Sequence, residues 1–96
     1  MKLFFMFKNT KDMDKVRERM RIGARIAEFR KECGMTQQVL AEAVGLQRPH
    51  ISRIEAGRYS VGLDTLAAIA VALGKKIEFV DNGPAHALGG ELGIES

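Results

Sequence analysis

The stretch TQQVLAEAVGLQRPHISRIEAGR at positions 36–58 constrains this chain more than any other. Val39, Leu40, Ala43 and Val44 recur at spacings of one, three and four, and Ile51 and Ile54 repeat the pattern a few residues later. That period belongs to a helix and not to a strand. Gly45 stands between the two groups with too little chain around it for anything but a tight turn. The spacing therefore predicts one helix over 36–44 and a second over 47–56. In the second, Ile51, Ile54 and Glu55 share a face, while Pro49, His50, Ser52 and Arg53 point away from it at about 100° per residue. The outward face is basic and polar.

The flanking segments extend the helical pattern. Thr10, Asp12 and Asp14 offer acceptors for the free amides that open a helix. Ile22, Ile26, Phe29 and Cys33 then form an apolar stripe that runs to Gly34, predicting a helix that ends at 32 or 33. Its first turns, 15–21, are mostly charged. Val16, Met20 and Gly23 there form a second face, read either as a contact for another subunit or as a solvated extension. After a loop at 58–62, Gly62 opens a further helix with Asp64 near its positive end. Leu63, Leu66, Ile69, Ala70 and Leu73 supply the stripe of this helix, and Gly74 its stop.

The two ends read differently. KLFFMF at 2–7 is too short for an independent helix and favours a strand, and KKIEFV at 75–80 alternates Ile77 and Phe79 with Lys76 and Glu78. The expectation is that they pair antiparallel, within one chain or across a dimer; the plain alternative is a frayed N-terminus. From Asp81 on there is no periodicity, four glycines and a proline, as expected of a flexible tail. The expected organisation is a strand at 1–8, a helical domain at 12–74, a strand at 75–80 and a tail at 81–96.

Bulk properties bound the function. A chain of 96 residues is one domain with a thin core, which makes association helpful to stability. The tail from Asp81 holds three of the 12 acids and none of the 15 Lys and Arg, so the first 80 residues stand at 15 against 9, a net +6. Such a body suits a polyanionic partner, although an excess of basic groups also serves solubility. Cys33 is the sole cysteine, which excludes an internal disulfide, fits a reducing cytoplasm and leaves a small apolar core residue as its expected role. His50 and His86 lack metal-pair spacing, so neither metal nor cofactor is expected. No apolar run approaches the roughly 20 residues needed to span a bilayer, and the MKLFFMF start is too short for a signal-peptide core, so no membrane role is expected. Paired carboxylates, a nucleophile beside a base and a phosphate-cradling glycine loop are all missing from the sequence. An enzyme is not expected.

The pattern Ile22, Arg25, Ile26, Phe29, Arg30, Gly34-Met35-Thr36-Gln37, Leu40-Ala41, Val44-Gly45, Ile51-Ser52, Ile54-Glu55, Gly57, Leu63, Thr65-Leu66, Ile69-Ala70 and Ala72-Leu73-Gly74 resembles the phage-repressor-like helix-turn-helix family. That family includes the Cro and C1 repressors, many XRE-type bacterial regulators and DNA-binding antitoxins of the HigA and HipB style. The resemblance covers about residues 20–74 and joins many positions at fixed spacing. It implies a mainly α fold, a five-helix lambda-repressor-like domain, to which the two strands would be added.

It also implies roles for particular residues. Arg30 and Glu55 match a salt bridge that ties the first helix to the recognition helix. Ala41 and Gly45 match the close helix crossing and the turn, and Ile51 and Ile54 match the anchors of the recognition helix. Gln37 matches a glutamine that bonds a backbone phosphate and braces that helix. Arg48, Pro49, His50, Ser52 and Arg53 match positions that touch base edges and nearby phosphates, with Gln47, Arg58, Tyr59 and Ser60 beside the flanking backbone. Two departures stand out: many members carry Ser or Thr where Gln47 stands, and Pro49 has no N–H to offer a phosphate.

The expected function is that of a sequence-specific repressor, binding double-stranded DNA as a homodimer on a two-fold operator and acting by occlusion of polymerase, with no second domain to sense a small ligand. The alternatives are an antitoxin that binds a toxin protein and regulates its own operon, and a protein-interaction module without DNA binding.

Overall fold

The computed structural model describes residues 10–85, with side chains from Asp12. Four α-helices account for the regular structure of that region: α1 Thr10–Glu32, α2 Gln37–Val44, α3 Arg48–Glu55 and α4 Leu63–Ala72. The expected fifth helix and the expected strand at 75–80 are not formed among the described residues. One reason is topological. α1 absorbs the whole N-terminal charged extension into a single helix of 23 residues. A strand also needs an edge to pair with, and an alternating pattern alone cannot supply one. Residues 75–80 instead run exposed beyond α4. Two cations lie over the ring of Phe29 on α1, with Arg25 Cζ 4.3 Å and Lys75 Nζ 4.7 Å from its centroid. The strand expected at 1–8 and the tail beyond Ala85 lie outside the described residues.

All four helices end by the same backbone device. The amide of Met35 donates to Arg30 O at 3.0 Å, Leu46 to Ala41 O at 2.9 Å, Arg58 to Arg53 O at 2.9 Å and Lys75 to Ala70 O at 2.8 Å. Each is the six-to-one bond of a Schellman motif, and the residue before each donor is a glycine at φ 72 to 74°. At Gly45 this conformation is what turns the chain from α2 into α3. An added Cβ there would meet nothing within 4 Å, so the constraint is the backbone angle and not space. The start of α2 is capped by Thr36, whose Oγ1 accepts from the Val39 amide at 3.1 Å.

The core joins Ile26 of α1, Leu40 and Ala41 of α2, Ile51 and Ile54 of α3, Ile69 of α4 and Leu73 just beyond it. Leu40, Ala41 and Ile51 are wholly buried. The small side chain of Ala41 lets α2 approach its neighbours closely. Four apolar positions depart from the sequence expectation. Val39 and Ala43 face solvent, because α2 turns its Leu40 and Ala41 side to the core. Leu63 is exposed at the first position of α4. Cys33 is also exposed, since α1 ends at Glu32 and the chain turns outward before the stripe completes another period.

Gly23 corrects a further expectation. It is not part of a face for another subunit: it is buried where α1 meets the last turn of α3.

Candidate nucleic-acid interface

The four-residue turn between α1 and α2 is held from inside by Arg30, a charged side chain only 8% exposed. Its Nη1 donates to Met35 O at 2.8 Å. Its Nε donates to Glu55 Oε2 at 2.6 Å and its Nη2 to Glu55 Oε1 at 3.1 Å, a two-point grip across 25 residues of sequence. The Glu55 carboxylate holds the Arg30 pKa above its ordinary value, so the guanidinium stays charged despite its burial. The partner side chain is 7% exposed. Breaking a pair this deep leaves a buried charge, which costs about 3–5 kcal/mol, whereas an exposed pair is worth less than about 1.

α3 is thereby fixed on three sides: Ile51 and Ile54 in the core, Glu55 on Arg30, and Gly45 at its entry. Its N-cap is Gln47, which makes no side-chain cap bond. The Gln47 carbonyl accepts from the His50 amide at 2.9 Å and the Ile51 amide at 3.3 Å, which closes the first turn without it. Pro49 fits there because a first-turn amide has no intrahelical acceptor to lose.

Of the residues singled out from the sequence, Gln47, Arg48, Pro49, Arg53, Arg58, Tyr59 and Ser60 are exposed, and Gln37, His50 and Ser52 are half-buried. Arg48, Pro49 and Arg53 present two guanidinium groups and an apolar ring on one short helix. Arginine at such a place can donate two parallel hydrogen bonds to a guanine edge or a phosphate. His50 departs from a purely outward role: its ring meets Tyr59 edge to face at 4.4 Å, and its Nε2 is buried with no partner. Gln37 is more committed than expected of a phosphate donor. Its Nε2 donates to Glu55 Oε1 at 3.0 Å, and its Oε1 accepts from Arg48 Nη1 at 3.1 Å. Two structural residues were missed from the sequence. Thr36 carries the Ser/Thr signature of an N-cap, which was legible. Gly23 gave no such signal, because its neighbours come from another helix.

Among the described residues no cluster of His, Cys, Asp or Glu could hold a metal ion, and no helix is long and apolar enough to cross a membrane.

A short helix held rigidly by its neighbours and bearing arginines outward defines a helix-turn-helix unit. Residues 26–80 match the family model described as Helix-turn-helix. The chain belongs to this helix-turn-helix family, of XRE type. It is 43% identical over 61 residues to the immunity repressor protein of Bacillus phage phi105, a match that covers 64% of this chain and 42% of that protein. The chain thus spans less than half the length of that relative. Among solved structures, the restriction-modification controller protein C.AhdI from Aeromonas hydrophila superposes with a TM-score of 0.63 at 30% identity, covering 66% of this chain and 91% of that one. A toxin-antitoxin module from Streptococcus pneumoniae gives a TM-score of 0.58 at 29% identity, covering 83% of this chain and 88% of that one.

Proposed function

We propose that this chain is a repressor that binds a two-fold DNA operator as a homodimer, with α3 entering the major groove. The observation that carries the reading is the exposed Arg48 and Arg53 on a helix whose opposite face is locked by Ile51, Ile54 and the Arg30–Glu55 pair. Rigid placement matters because a base contact must hold its geometry to discriminate. In this reading Arg48 and Arg53 select sequence, Pro49 contributes an apolar contact or rigidity, His50 and Ser52 line the groove, and Gln37, Gln47, Arg58, Tyr59 and Ser60 lie along the flanking backbone.

One such helix reads only a few base pairs, so two of them about 34 Å apart are needed for useful specificity. Support for a second copy comes from α4, whose sole charged residue is Asp64 and whose Leu63 and Val71 are 70% and 74% exposed. A helix apolar on more than one side is made to be covered. The relationship to the phage immunity repressor supports repression as the outcome.

Sites selected from random DNA test the proposal. The expected result is a palindromic consensus bound with an affinity that falls steeply with salt. Arg48→Ala combined with Arg53→Ala should abolish selective binding at an unchanged melting temperature, and selective binding kept by that double variant would sink the reading.

An antitoxin role is the second reading, favoured by the similarity to the toxin-antitoxin module over 83% of this chain. A toxin gene beside this one, whose product co-purifies with the chain at fixed stoichiometry, decides for it.

A further inference from the structure

We infer that the groove between α1 and α4 is the seat of this chain's own acidic segment, residues 86–96. The groove has a volume of about 270 Å³ and is lined by both helices and by the residues that follow α4 as far as Glu78. Its floor offers Ile22, Phe29 and Leu66, none of them wholly buried, and Ile77, 42% exposed, adds to it. Its rim is cationic. Arg21, Arg25, Lys75 and Lys76 stand there against one carboxylate, Glu78.

These cations are placed for an occupant that is both acidic and apolar. Arg25 and Lys75 sit over the Phe29 ring, so positive charge directly adjoins apolar surface. Arg21 and Arg25 are partnered by Glu18 and Glu28 on their own helix, in exposed pairs of a kind that contributes little and exchanges easily. Among the described residues Lys75 and Lys76 have no carboxylate partner. A rim of this sign selects against basic occupants as well as for acidic ones.

Charge then decides between the two ends of the chain. The segment 1–9 carries Lys2 and Lys8 and no acid. The segment 86–96, HALGGELGIES, carries Glu91 and Glu95 and neither Lys nor Arg. An extended run puts Leu92 and Ile94 on one face and Glu91 and Glu95 on the other, so the apolar pair can meet the floor while the carboxylates reach the rim. The tether is long enough. From Arg21 to Phe29 the groove runs about 12 Å along α1 at about 1.5 Å per residue. The chain from Glu78 to Glu91 reaches up to about 43 Å at about 3.3 Å per residue. A bend at 83–84, with Gly83 at φ 94°, changes its direction in between. In that seat Glu91 and Glu95 offset Lys75 and Lys76, and the groove is closed to other polyanions.

Cys33 supplies the test, because it is the sole cysteine, is exposed and has its Sγ 3.8 Å from the carbonyl of Leu73, which lines the groove. A nitroxide attached to it in the full chain should broaden the amide NMR signals of residues 91–95 until they are lost, and reduction of the nitroxide should return them. The measurement is made at low ionic strength, where exposed charges act at the longest range. Lys75→Glu combined with Lys76→Glu alters two exposed positions outside the helices and should abolish the broadening. Glu91→Lys combined with Glu95→Lys should do the same. Joining all four substitutions restores opposite signs and should bring the broadening back.

Broadening of residues 1–8 in place of 91–95 would give the groove to the other end of the chain. Broadening of 91–95 by a nitroxide carried on a separate, isotopically unlabelled copy would give it to a second molecule. Either result overturns the inference. So does equal signal strength with active and reduced nitroxide, a broadening that survives the charge reversals, or one that fails to return in the combined variant. The DNA-binding reading stands apart from all of these outcomes.

Discussion

Gly23 and Ile54 meet backbone to backbone: a Cβ built on Gly23 would stand 2.4 Å from the Ile54 carbonyl oxygen, and 2.7 Å from that of Glu55. No flexible side chain is there to yield. Gly23→Ala improves helix propensity by about 1 kcal/mol, but overpacking of this kind costs about 1–3 kcal/mol. Because the obstacle is main chain, the clash wins. The expected outcome is a melting temperature lowered by roughly 5–10 °C, read by thermal circular dichroism. An unchanged or raised value would show that α1 can slide away from α3.

The Arg30–Glu55 pair predicts a contrast between two glutamates. Glu55→Ala strands a buried guanidinium and removes the acceptor of Gln37. Glu42 is exposed and receives only Gln38 Nε2, one turn away on α2. The first substitution should cost about 3 kcal/mol and the second less than about 0.5. Chemical denaturation of the two variants measures the difference, and equal midpoints would mean that the pair contributes nothing to stability.

Gly45 and Gly57 share φ 74° but not their surroundings. A Cβ on Gly57 would lie 2.8 Å from Met20 Cα, whereas one on Gly45 meets nothing within 4 Å. Alanine at 45 should therefore cost only the left-handed backbone, about 1–2 kcal/mol, and alanine at 57 should cost more. Asparagine, which tolerates this region, should recover part of the loss at 45 and little at 57.

Helix boundaries were legible because the sequence carries both the 3.6-residue period and a glycine at each stop. Which face of a helix turns inward was less so. A stripe marks apolar residues without saying which neighbour meets them, hence the exposure of Val39, Leu63 and Cys33 and the burial of Gly23. The segment 75–80 shows the limit of alternation as a signal, since Ile77 and Phe79 fit a strand that has no edge to join among the described residues. In the candidate interface, the Arg30–Glu55 pair came from resemblance. The bond between Gln37 and Arg48 depends on two side-chain rotamers, which no residue spacing encodes.

The apolar outer side of α4 gives a last prediction. Leu63→Asp combined with Val71→Asp alters two exposed positions, so the monomer fold should keep its helical spectrum. If the chain is the proposed homodimer, mass measured by light scattering should fall from dimer to monomer, and operator affinity should fall with it by tenfold or more, as about 1.4 kcal/mol of association free energy is lost for each factor of ten. A dimer mass in that variant would place the subunit contact elsewhere.

The stops of the four helices are made by each helix's own backbone, and the core is made by residues that face away from Pro49 and Arg53. Frame and reading head are therefore separable. On the proposed reading, a descendant of this chain can exchange Pro49 or Arg53 for another side chain, and so change its target, without reopening the question of how it folds. Arg48 is the exception: through Gln37 it is tied to the frame, and of the three it is the letter that changes least freely.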